Sequence, residues 1–266
     1  MPTRLRLSVQ VSACVGALLL CGGPATADGG SLKDTYVAPV ATWTGCYVGV
    51  DDGYKWGRTR LTTPTPYTLN NPTALVVTTG AEHFHTNGFL LGGQFGCNYQ
   101  VRRNLVLGFE VSGTRDWAND TASGIVTTTG RTPFQAGTLT TEVARTCQLR
   151  VGPRIGTTLG GPGLAPLVYA TGGYAGACHR TTQLGVFFDP FVTNTNVSTR
   201  NFDSGWFVGA GTDIPTPLVM PNSFVQIELT HADYGSSSVA LAGTATTGKI
   251  DSASTELRFG FKYRFP

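Results

Sequence analysis

Charge is scarce in this chain. Asp, Glu, Lys and Arg make up 13% of its 266 residues, about half the soluble average. The formal net charge is +3 and no run of basic residues is interleaved with aromatics, which argues against a nucleic-acid partner. Beyond residue 27 no stretch supplies the ~20 consecutive apolar residues of a transmembrane helix, so any membrane span must be β. The cysteines show neither a C-x-x-C nor a Cys/His zinc spacing. There is no G-x-S-x-G, and no serine stands at a convincing spacing from a histidine and an acid. These absences lead to the expectation of a non-enzyme with no cofactor and no resident metal.

Glycine is abundant, with 35 residues, and aromatics reach 10%. With a mean hydropathy close to zero, that composition suits strands that are apolar on one side only. The final stretch is the clearest case. Leu257, Phe259, Phe261, Tyr263 and Phe265 alternate with Glu256, Arg258, Gly260, Lys262 and Arg264. A period of two puts the first set on one face of a strand and the second on the other.

Residues 1–27 read as a secretory signal: Arg4 and Arg6, an apolar core from Val9 to Leu20, then Ala25-Thr26-Ala27 as a small-x-small cleavage site. Residues 28–42 read as a flexible periplasmic lead-in and 43–266 as one β domain. Within it the alternation predicts eight strands: Trp43 to Trp56, Asn87 to Val101, Leu105 to Trp117, Thr140 to Gly156, Leu167 to His179, Gly205 to Ile214, Ser223 to Tyr234, and Thr255 to Phe265. Asp52 is a misfit on the apolar face of the first, marking a membrane edge or a bulge. Polar tracts at Arg58 to Thr86, Ala118 to Thr138, Arg180 to Ser204 and Gly235 to Ala253 read as long loops. They alternate with shorter turns at Arg102 to Asn104, Gly160 to Gly163 and Pro215 to Asn222. That asymmetry and the even strand number predict an all-β, eight-stranded antiparallel up-and-down transmembrane barrel with both termini periplasmic.

Ordered motifs add a resemblance. Trp43-Thr-Gly-x-Tyr-Val-Gly and Gly53-Tyr-x-Trp-Gly57 are followed by Gly92-Gly-Gln-x-Gly-x-Asn-Tyr-Gln100, Gly108-Phe-Glu110, Tyr169-Ala-Thr-Gly-Gly173 and Gly205-Trp-x-Val-Gly-Ala-Gly211. Together they resemble the small outer-membrane barrels of the alphaproteobacterial porin family, which are similar to the OmpA membrane domain and include immunogenic surface antigens. The resemblance covers nearly the whole chain after residue 42. It implies a cell outer-membrane location in contact with membrane lipid, and a barrel assembly machinery that reads the terminal aromatics Tyr263 and Phe265. Three departures stand out: Pro266 follows Phe265, Cys46 and Cys97 stand where the family commonly has aromatics, and the turn at Pro215 to Asn222 is longer than the family's usual one.

In the barrel, Cys46 and Cys97 fall on adjacent strands, as do Cys147 and Cys178, so two cross-strand disulfides are expected. Glu110, Arg150, Asp213, Glu228 and Arg258 face the interior from five strands, where eight strands leave just enough room for side chains. A salt-bridge plug is the expectation, with a gate or ion path as its alternative. His83 and His85, in an H-x-H pattern, are the candidate metal or haem ligands, and His179 and His231 read as interface or rim residues. The reading is a non-enzymatic barrel with a structural and surface-interaction role, its loops meeting an extracellular partner. The alternatives are a small diffusion pore and a surface receptor for haem or another ligand through the first loop.

Overall fold

The computed structural model describes residues 43–63, 67–71, 73–77, 81–102, 104–127, 136–159, 165–189, 191–241 and 247–265. The expected signal, the lead-in and the Gly160–Gly163 turn lie outside them. Eleven strands follow in order: β1 (Gly45–Thr62), β2 (Tyr67–Asn71), β3 (Thr73–Val77), β4 (Ala81–Phe84), β5 (Gly88–Arg102), β6 (Leu105–Thr127), β7 (Ala136–Thr158), β8 (Leu167–Asp189), β9 (Phe191–Pro215), β10 (Ser223–Ala240) and β11 (Thr247–Arg264). β1 and β5 to β11 each pair antiparallel with the next, and β11 also pairs with β1, so eight strands close into a barrel. β2 and β3 form a separate hairpin, and β4 adds to the end of β1.

The closure is staggered. A walk along paired residues from Val48 passes Phe95, Val111, Val151, Tyr174, Trp206, Asp233 and Ala253 and returns to β1 at Arg58, ten residues from its start. Such a shear tilts the strands and closes a narrow interior.

Each strand changes chemistry along its length. Towards the end that carries the described termini, β1 points Val48 and Val50 outward and Asp51 and Lys55 inward. Beyond Trp56 the outward residues become Arg58 and Arg60, and the inward set ends on buried Leu61. β11 mirrors this, with Phe259 and Leu257 against Arg258 and Glu256, then Asp251 and Lys249 against buried Ile250. An apolar exterior around a charged interior suits strands bathed in lipid. The opposite arrangement suits strands bathed in water. The inversion therefore marks a membrane boundary on the barrel wall. Outward aromatics gather near it: Tyr54 meets Trp56 and Phe89 at 5.0 and 5.3 Å between ring centroids.

Three expectations need correction. The tracts at Ala118 to Thr138, Arg180 to Ser204 and Gly235 to Ala253 are largely strand. β6 runs to Thr127, β8 and β9 are separated by residue 190 alone, and β10 and β11 extend to Ala240 and back from Thr247. In the first tract, β1 reaches Thr62 and β2 to β4 follow. Thr and Val, β-branched, favour extended backbone, and the continued ladder pairs peptide groups that a long loop would leave to water. Secondly, Asp52 marks no bulge. It points outward in an unbroken register opposite Leu91 and Phe259. Thirdly, unbroken alternation along Thr140 to Gly156 puts Val143 outward with Cys147 and Leu149, and Glu142 inward with Gln148 and Arg150. The structure exchanges Glu142 and Val143. The register slips between Arg145 and Cys147, so Thr146 is an extra residue and Val143 becomes buried.

Candidate functional site

The lumen holds the chemistry. Sequence alternation placed Glu110, Arg150, Asp213, Glu228 and Arg258 inside, and the structure puts all five there, none touching another except Arg150 and Glu228, 3.1 Å apart. Partners that sequence reasoning did not single out join the rest. Arg154 reaches Asp213 at 2.5 Å and Glu110 at 2.9 Å, and Lys262 reaches the same two carboxylates at 3.5 and 3.0 Å. The Tyr47 hydroxyl donates to Glu110 at 2.6 Å and accepts from Arg154 at 2.7 Å. Tyr169 lies under the Arg154 guanidinium, 3.7 Å from its ring centroid, and donates to Glu228.

A second cluster lies nearer the membrane boundary. Arg258 bridges Asp51 at 2.9 Å and Glu256 at 2.8 Å. Lys55 pairs with Asp116, and with Glu256 at 3.2 Å. Gln148 accepts from both cations through one oxygen, 3.2 Å from each. The parity of β1, β7 and β11 already put Asp51, Lys55, Arg154, Glu256 and Lys262 on the inner face, so the signal was present strand by strand. What alternation lacks is pairing across the lumen, which depends on the shear.

Apolar clusters lie at both ends of this charge. At the terminal end, Trp43, Tyr47, Val106, Leu167, Tyr169 and Phe224 form one. At the other, Leu61, Phe84, Val143, Val239 and Ile250 form a second, every member 2% exposed or less. His179 is not a rim residue: it is buried, and its Nδ1 bonds Asp203 at 2.6 Å. Arg145 stacks on Tyr234 at 4.6 Å, with both terminal nitrogens lacking a hydrogen-bond partner among the described residues.

Disulfides join Cys46 to Cys97 and Cys147 to Cys178, each between directly opposed residues of neighbouring strands. An outward apolar band, a charge-filled lumen and a closed eight-stranded sheet together define a class of membrane protein. The chain is 23% identical over 229 residues to the 25 kDa outer-membrane immunogenic protein of Brucella abortus, across 86% of this chain and 82% of that one. It is an integral outer-membrane β-barrel protein. No protein-family model matches the chain. Among solved structures it is similar to the Neisserial surface protein NspA, with 11% identity, a TM-score of 0.34, and 84% of this chain and 98% of that one covered. A likeness to the outer-membrane protease OmpT of Escherichia coli has 10% identity, a TM-score of 0.36, and 84% and 98% coverage.

The remaining candidates lie on the outer wall of the barrel. His83 and His85 are exposed on either side of buried Phe84, and His83 is opposite Arg60. Among the described residues no group of three metal-ligating side chains occurs. Tyr263 and Phe265 stack edge to face at 5.9 Å at the terminal end, where the Phe265 N–H donates to the Cys46 carbonyl. His231 is exposed, 6.2 Å from Trp206.

Proposed function

We propose that this barrel is a non-catalytic, non-conducting component of the outer membrane. In this reading it braces the bilayer and carries its strands outward beyond it as a surface platform, with both termini in the periplasm. One observation carries the proposal: the ion-paired lumen lies between two buried apolar clusters. Asp51, Glu110, Asp116, Asp213, Glu228 and Glu256 each contact a buried Lys or Arg. Such groups are held by salt bridges rather than presented to a substrate. An ion crossing the lumen would have to part these pairs and cross Leu61, Phe84 and Ile250, or Trp43 and Phe224, without water to solvate it.

The even strand count supports a shared side for the two termini. The strand ends beyond the inversion support the opposite, outside face for β4 and the distal halves of β6 to β9. The Tyr263 and Phe265 pair stands where an assembly machinery would meet the last strand, and the distal strand ends are the surface an extracellular partner would meet.

Planar-bilayer recording of the refolded full chain tests the reading. Electrical silence is expected across a wide voltage range. Discrete conductance steps under oxidising conditions would favour the pore alternative and overturn the proposal.

A further inference from the structure

The outer wall carries a second site, away from the lumen. On four adjacent strands Arg115, Cys147, Cys178 and Phe202 stand side by side, each opposite the next: Arg115 to Cys147, Cys147 to Cys178, Cys178 to Phe202. All point away from the lumen. Two residues further along β8 and β9, Arg180 and Arg200 are direct cross-strand partners, both exposed. Arg115, Cys178, Arg180, Arg200 and Phe202 line one depression with Thr146, His179 and Asn201, and Cys147 lies beside it, bonded to Cys178.

Three features distinguish it from an ordinary polar surface. Arg115, Arg180 and Arg200 make no ion pair or hydrogen bond with any described residue, and no carboxylate lines the depression. Like charges directly opposite on a sheet repel, so the Arg180–Arg200 pair is unfavourable until an anion is shared between them. Part of the surface is apolar and built: Cys178, fixed by its disulfide to Cys147, and the Phe202 ring lying over Gly176, where a β-carbon would fall 2.3 Å from the ring. Gly176 thus leaves the space that Phe202 fills. Finally, the depression sits at the inversion of the wall, with outward Trp206 and Tyr174 on the lipid side of it.

From these features we infer that the depression binds a lipid of the outer leaflet whose headgroup carries two phosphates. This inference rests on the membrane placement proposed above. The Arg180–Arg200 pair provides one fork for a phosphate, and Arg115, across the disulfide, provides the second. Guanidinium groups suit phosphate through paired N–H donors, and side chains at the membrane boundary reach headgroups without entering the acyl region. The acyl chains run down the wall past Phe202 and Trp206. Free inorganic phosphate would satisfy the arginines but leave the apolar part uncovered, so the surface favours the lipid.

The test reconstitutes the full chain in phosphatidylcholine vesicles, with and without a minor fraction of a diphosphorylated disaccharide lipid. Lipid retained after detergent extraction is counted by native mass spectrometry. Wild type is expected to retain the diphosphorylated lipid over phosphatidylcholine. Arg180→Ser/Arg200→Ser and Arg115→Ser should each lower that retention roughly tenfold or more, while Lys249→Ser, an exposed cation elsewhere on the wall, should not. Retention unchanged in both arginine variants would overturn the site, as would competition by inorganic pyrophosphate at the lipid's own concentration. Folding is read separately from heat-modifiable gel mobility. A chain that folds in both vesicles without lipid preference overturns this inference alone, and one that folds in neither overturns the membrane reading beneath it.

Discussion

The two halves of the barrel wall obey one geometric rule and opposite chemical ones. Near the termini, Val48, Val50, Phe259 and Leu257 face out while Asp51, Lys55, Glu256 and Arg258 face in. Beyond the boundary, Arg58, Arg60, Lys249 and Asp251 face out and Leu61, Phe84 and Ile250 face in. The strands continue through the change without a break. The solvent around the wall, lipid or water, is what decides which side carries oil. In the first half the core is ionic and its stability lies in pairing; in the second it is a small ordinary hydrophobic core.

Arg258→Met tests the first half and should have the largest effect. It strands Asp51 in a dry interior and leaves Glu256 with Lys55 alone as ion-pair partner, a loss of about 3–5 kcal/mol, read as a lowered urea midpoint in lipid vesicles. Removing Lys249 instead, whose pair with Asp251 is 61% and 43% exposed, should change little. In the second half Leu61→Ala should cost about 2–5 kcal/mol. That loss should appear as faster amide exchange in β4 and the distal end of β1, with the terminal half still protected.

The same substitution at two heights sharpens the comparison further. Val50→Arg, on the lipid face, should destabilise by about 2–4 kcal/mol, and Thr247→Arg, beyond the boundary, by close to nothing. Equal costs would erase the boundary.

The smallest effect concerns Glu82 on β4, whose side chain shares the face of Phe84. Burial raises its pKa above the ordinary carboxylate value, an effect that the nearby Thr141 hydroxyl partly offsets. A carboxyl raised in the folded state contributes stability that is fully present below its unfolded pKa and is lost as pH rises through the folded one. β4 should therefore be better protected from exchange at acid than at neutral pH, and Glu82→Gln should flatten that difference.

This division also explains what could be read from the chain beforehand. The terminal half was legible because its alternation pits aromatics against ions, as in Leu257 to Arg264. The cysteine positions were legible too, since residues of one parity on neighbouring strands face the same way. The distal half was not. Its outward residues are polar or charged, Thr, Ser and Asn among them, which read as loop, and its inward residues reverse the pattern that had defined a strand. Thr146 hid the Glu142–Val143 exchange, because one extra residue leaves no mark on composition. The Arg154 and Lys262 bridges to Glu110 and Asp213 follow from the shear, which a linear pattern does not encode. The basic depression was missed for a similar reason: Arg115 lies far in sequence from Arg180 and Arg200, and only the register brings them together.

Depth-resolved quenching by brominated lipids tests the central claim most directly. Trp56, Trp117 and Trp206 are each about half exposed on the outer wall, whereas Trp43 is 2% exposed inside. Lipid brominated near the headgroup should quench the first three strongly, and a variant retaining only Trp43 should be left bright. Quenching of Trp43 by lipid, with the other three reached only by aqueous iodide, would turn the barrel inside out and contradict the account.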